Sequence, residues 1–124
     1  MNYVTVWGQD DQKKRLVEDV AFFCIDELMP RMETLDICID MCDDDMETAD
    51  GYCMSVDKRK FEILIDPRLE GDDLITAVCH EMVHVKQYAR GEITAEAELL
   101  PYFDRPFEKE AYDMQEKLLA KYNS

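Results

Sequence analysis

The segment Val78-Cys79-His80-Glu81-Met82-Val83-His84-Val85 sets the frame for the rest of the chain. It contains His-Glu-x-x-His, and on a helix residues four apart lie on one face, one turn apart. Two imidazoles so placed can reach one metal ion together. With His80 at zero and about 100° per residue, His84 falls at about 40° and Glu81 at about 100°. Leu74, Val78, Met82, Val85 and Ala89 fall between about 120° and 200°. The apolar stripe therefore runs beside and behind the polar cluster, so the helix can bury one face while His80, Glu81 and His84 face a cleft. The chain has only two histidines, and both are in this motif.

Working outward, Gly71-Asp72-Asp73 leads into this helix, expected from about 73 to 90, and Gly91 sits where a C-terminal cap glycine belongs. Before it, Phe61-Glu62-Ile63-Leu64-Ile65 reads as a strand, ended by Pro67. Tyr52 to Val56 is a second short strand, joined to it by a tight, exposed Lys58-Arg59-Lys60 turn as a hairpin. Leu35 to Cys42 alternates, with Ile37, Ile39 and Met41 on one face and Cys38 and Cys42 on the other; Asp43-Asp44-Asp45 begins a turn or loop. Residues 3–7 form a further strand. After it Leu16, Val20, Cys24 and Leu28, widened by Val17 and Ala21, mark a helix from 12 to 29, with an aspartate of the Asp10-Asp11 pair as cap. Pro106 opens a last helix to about 121. The order predicts one α+β domain over residues 1–124: a small, twisted, mostly antiparallel sheet packed on an N-terminal helix, the His-Glu-x-x-His helix and a C-terminal helix.

Composition narrows the function classes. Twenty-nine Asp and Glu against 14 Lys and Arg give a formal net charge of −15. Nucleic-acid binding draws on cationic side chains that neutralise phosphates, so such a surface excludes it over most of its area. No run of 18 apolar residues suggests a membrane span, and the N-terminus does not read as a signal peptide, so a cytoplasmic protein is expected. The five cysteines (24, 38, 42, 53 and 79) contain no CxxC pair. Thiols packed as small hydrophobes explain them better than a second metal site from Cys38, Cys42 and Cys53.

The motif's chemistry is that of a zinc hydrolase, in which the metal lowers the pKa of a water and the neighbouring carboxylate takes its proton. Catalytic zinc commonly takes three protein ligands, leaving a position open. No histidine remains, so the third ligand here is a carboxylate or, less readily, a thiolate. The last helix offers Glu108 and Glu110, which flank its stripe of Phe107, Ala111, Met114, Leu118 and Tyr122 on opposite sides. Helical geometry does not choose between them.

His80-Glu81-x-x-His84, a loop and a Glu-x-x-Ala helix together resemble the gluzincins, the HExxH metallopeptidases whose third ligand is glutamate. The short strand-then-helix segment is also similar to SprT-like and minimal gluzincin domains, including small phage-encoded ones. The resemblance covers roughly residues 35 to 115. It implies a zincin-like fold, one zinc on His80, His84 and Glu108, the glutamate three residues before Ala111, and Glu81 as general base and acid. Glu110 becomes the runner-up, or a group that orients a ligand. Larger gluzincins often place Asp four residues after the ligand glutamate, where this chain has Tyr112. The resemblance further implies a peptide or protein substrate laid along an exposed edge strand. Tyr88, Tyr102 and Tyr112 are candidate oxyanion donors. A DNA-linked protease of the SprT-like kind does not fit the charge. The competing reading is a zinc-bearing binding or structural module that cuts nothing, since 124 residues leave no second lobe to wall a cleft.

Overall fold

The computed structural model describes residues 1–41 and 50–124, and of Phe103 the backbone alone. The elements run β1 (Tyr3–Trp7), α1 (Asp11–Leu28), β2 (Asp36–Asp40), β3 (Gly51–Asp57), β4 (Lys60–Ile65), α2 (Gly71–Ala89), α3 (Ala95–Glu98), a 3₁₀ turn (Tyr102–Asp104) and α4 (Pro106–Tyr122). The class is α+β, with helices against one face of a four-stranded sheet of order β1-β2-β4-β3.

The sheet is mixed, which corrects the expectation of a mostly antiparallel one. β1 pairs with β2 and β2 with β4 in parallel; only the β3–β4 hairpin is antiparallel. The reason is topological. A strand, a helix and a strand that pairs with the first must run parallel, because the helix carries the chain back along the sheet. β3 then lies at the outer edge beyond β4, leaving β2 and β4 as neighbours.

Local sequence explains the element ends. The Asp10 carboxylate accepts from the Gln12 and Lys13 amides and caps α1. At the far end of α2, Gly91 adopts φ 69°. Its amide donates to Tyr88 O and the Glu92 amide to Gln87 O, the paired bonds of a glycine-terminated helix. Pro106 occupies the first turn of α4, where a missing amide hydrogen costs nothing.

Alternation in the strands builds the core. Ile37, Ile39, Phe61, Ile63 and Ile65 are fully buried beneath Val17, Val20, Ala21 and Cys24 of α1 and Val78, Met82 and Val85 of α2. Each Val, Ile, Phe or Met among them contributes about 1.5–3 kcal/mol by leaving water. The opposite face leaves Tyr3, Trp7, Tyr52 and Met54 exposed. Cys24 and Cys79 are buried free thiols with their sulfurs 3.7 Å apart, between α1 and α2. Cys38 pairs with Glu62 and Cys53 with Ile63. Those two cysteines therefore point to opposite faces of the sheet and cannot share an ion. Cys42 and Asp43-Asp44-Asp45 lie outside the described residues.

β3 meets α2 at Gly51. A β-carbon there would stand 2.9 Å from Leu64 O, 3.0 Å from Ile65 Cδ1 and 3.1 Å from Glu81 Oε2. Only glycine lets the edge strand come this close. Gly51→Ala is expected to lower stability by about 1–3 kcal/mol through overpacking, read as a lower midpoint in urea unfolding. An unchanged midpoint would mean that β3 stands further from α2 than described.

Candidate metal centre

α2 is covered on both sides. Its apolar stripe faces the sheet, and its polar face lies under α4, so His80, Glu81 and His84 are all buried. The two imidazole rings lie nearly perpendicular, with centroids 4.8 Å apart. Their Nε2 atoms are 3.2 Å apart, and Glu108 Oε1 stands 3.1 Å from His80 Nε2 and 3.0 Å from His84 Nε2. His80, His84 and Glu108 thus form a group that could hold a metal ion.

The hydrogen bonds behind the ligands say what that point needs. His84 Nδ1 lies 2.7 Å from Gln87 Oε1. The Gln87 amide nitrogen donates to Phe107 O at 2.9 Å and Glu110 Oε1 at 2.8 Å, both acceptors only. The amide cannot turn round, so its oxygen faces the ring and His84 Nδ1 carries the proton. His80 is held the same way by Gln115, whose Oε1 is 2.8 Å from Nδ1 and whose nitrogen donates to Glu116. With both protons on Nδ1, both Nε2 atoms present lone pairs, and a carboxylate oxygen presents a third. Three lone pairs that meet at these distances repel unless a cation lies among them. Ligands about 2.0–2.1 Å from a tetrahedral ion stand about 3.3 Å apart, close to the spacings seen. The donor set of two imidazoles and one carboxylate therefore fits a divalent metal.

A proton on Nε2 can stand in for that cation. Burial alone would raise the Glu108 carboxyl, but hydrogen bonds and charge from His80 and His84, when these carry protons, outweigh it and hold it down at about 2. Glu81 goes the other way. Burial pushes it up to about 8; His80 opposes this, while Glu108 and Asp50 add to it. Glu110 does not enter the group. It binds Gln87 and Lys86, which hold its carboxyl below the usual range against some burial. It stands behind Gln87, on the side away from His84 Nδ1.

An open cavity of about 870 Å³ lies over the group. α2 is its floor, with His80, Glu81, His84 and Tyr88. Asp50 to Cys53 at the start of β3 form one wall. The segment between α2 and α4 forms the other with Ile93, Glu98, Tyr102 and Arg105, so the far wall comes from fifteen-odd residues of connection rather than from a second lobe. Among the tyrosines, Tyr102 donates to Glu108 Oε1 at 3.3 Å and lies 3.3 Å from the Tyr112 hydroxyl. Tyr88 donates to Glu98 at 3.4 Å. Tyr112 packs its ring edge-on against His80, 4.7 Å between centroids, which explains an aromatic residue at that position. Gln115, one turn later, supplies the polar contact. Gln87, Gln115 and Gly51 escaped sequence reading. Gln87 stands one turn beyond His84 and Gln115 two turns beyond Glu108, a helical spacing that could have flagged both.

Comparison with protein-family models, curated proteins and solved structures returned no match. The site's own geometry carries the functional argument.

Purified protein is expected to hold about one divalent ion per chain. His84→Ala and Glu108→Ala should lose it, while Gln87→Ala and Glu110→Ala should keep it with about 10–100-fold weaker affinity. Elemental analysis and chelator competition read both. Retention by Glu108→Ala with loss in Glu110→Ala would exchange the two roles.

Proposed function

We propose that this chain is a zinc-dependent metallopeptidase with a zincin-like fold of the gluzincin type. One observation carries the reading: three lone-pair donors converge beside a buried carboxyl that none of them needs, at the floor of an open cavity. His80, His84 and Glu108 hold the ion, and two imidazoles with a carboxylate suit zinc among the common divalent metals. Zinc, when bound, polarises the scissile carbonyl and brings the pKa of a water near neutrality.

The remaining work falls to side chains of this chain. Glu81 takes a proton from the attacking water at its carboxylate and returns it to the leaving amine. A group whose proton is held near neutral pH is suited to both transfers. The outer edge of β3, from Gly51 to Cys53, which no strand covers among the described residues, offers main-chain donors and acceptors to an extended peptide. Tyr102, with its hydroxyl on the ligand oxygen of Glu108, is best placed of the three tyrosines to follow charge as it develops on the carbonyl oxygen.

A binding module that only carried zinc would need the three ligands and no more. Glu81 is 4% exposed, and its burial pushes the carboxyl up to about 8. A buried carboxyl of this kind costs stability, which favours the catalytic reading.

Glu81→Gln is expected to keep one zinc per chain and to lower cleavage at least about 100-fold. Digestion of a fluorogenic peptide library, with metal content measured on the same samples, checks this. Undiminished cleavage by the variant would remove Glu81 from the mechanism.

A further inference from the structure

Arg105 stands in the cavity wall at the start of α4. It is the one Lys or Arg among the described lining residues, which include Asp50, Glu81, Glu98 and Glu108. Its Nε donates to Leu100 O at 2.9 Å, and its guanidinium carbon lies 5.9 Å from the ring centroids of both Tyr102 and Phe107. These contacts fix the stem and one N–H. Its two Nη groups have no partner among the described residues. The chain carries 29 acids to 14 bases, yet this cleft arginine has no carboxylate partner among the described residues.

The backbone adds to the same field. Arg105 is the N-terminal cap residue of α4, a helix of 17 residues with no side-chain cap. The positive end of its dipole lies where the guanidinium begins. Glu108, in the first turn, is turned away toward His80 and His84.

We propose that Arg105, aided by the N-terminus of α4, receives a carboxylate of the peptide substrate. This rests on the metallopeptidase reading and names a chemical class for its substrate. The planar guanidinium matches a carboxylate through two parallel hydrogen bonds. The carboxylate is either the free C-terminus of the peptide or an Asp or Glu side chain. Position limits the choice further. The Phe107 ring lies 5.9 Å from the His84 ring and 5.9 Å from the guanidinium, so Arg105 is within about 12 Å of His84. An extended peptide rises about 3.3 Å per residue, which puts the carboxylate within about four residues of the scissile bond.

The test uses N-terminally blocked decapeptide libraries in four sets: C-terminal acid or amide, each with or without Asp and Glu. Cleavage by zinc-loaded wild type is followed by mass spectrometry, and binding to zinc-loaded Glu81→Gln by affinity selection. The set with the recognised carboxylate should be favoured at least about tenfold. Arg105→Gln should erase the difference, and Arg105→Lys should retain part of it. Preference for the acid terminus identifies the α-carboxylate; preference for Asp or Glu with either terminus identifies a side chain. Equal handling of all four sets, or a preference that survives Arg105→Gln, overturns the proposal. The wild-type comparison needs no variant, so a misfolded Arg105→Gln does not shelter it. Carboxylate-selective binding without any cleavage would remove the peptidase reading and leave the receptor standing. Cleavage without selectivity would do the reverse, and neither binding nor cleavage would overturn both.

Discussion

The meeting of three lone pairs between α2 and α4 constrains the whole arrangement. Two imidazole nitrogens and a carboxylate oxygen 3.0–3.2 Å apart are an unfavourable group until a positive charge lies among them. The neighbouring residues hold the group in this form. Lys86 and Gln87 bind Glu110, Gln87 binds His84, and Gln115 binds His80. Among the described residues no buried side-chain polar atom lacks a partner. A polar network of this kind specifies one arrangement when every member is satisfied. It explains how α4 docks on α2 through a polar face without large unpaired groups.

The sheet serves this junction. Parallel pairing of β1, β2 and β4 puts the apolar residues of the central strands under α1 and α2 and leaves β3 at the edge beside Glu81. Gly51 allows contact at a distance no other residue permits. The connection from α2 to α4 then closes the opposite side with Tyr102 and Arg105. A domain of this size obtains two walls for one cavity by using a strand edge and a structured loop, both already required for connectivity.

Elements with strong local signals were legible in the sequence. Leu74, Val78, Met82 and Val85 placed the motif helix and its faces, and Pro106 and Gly91 marked helix ends that the structure repeats within a residue or two. Sheet direction was not, because Leu35–Cys42 and Phe61–Ile65 each alternate in the same way whether their neighbour runs parallel or antiparallel. The strand, helix, strand order at the N-terminus did contain the parallel β1–β2 pair. Glu108 and Glu110 show the same limit at the site. Both flank one helical stripe, and only the partner helix decides which carboxylate meets His80 and which meets Gln87. The glutamines went unread because an amide has no charge and no fixed motif; its role appears only when its nitrogen is seen to be committed elsewhere.

Glu81 and Glu108 show how one cavity shifts the same side chain in two opposite directions. Both are buried. Glu108 faces two ring nitrogens and a tyrosine hydroxyl and, when the imidazoles carry protons, is held ionised down to about 2. Glu81 faces the backbone of β3 and the field of two other carboxyls, and holds its proton up to about 8. A permanently ionised carboxylate suits a metal ligand, and one that exchanges its proton near neutrality suits acid and base work. The pair would lose this separation if Gly51 gained a side chain that moved β3 away and let water reach Glu81, because the burial that raises its pKa would be relieved. The edge strand is therefore linked to the proposed chemistry through solvent exclusion as well as through peptide binding.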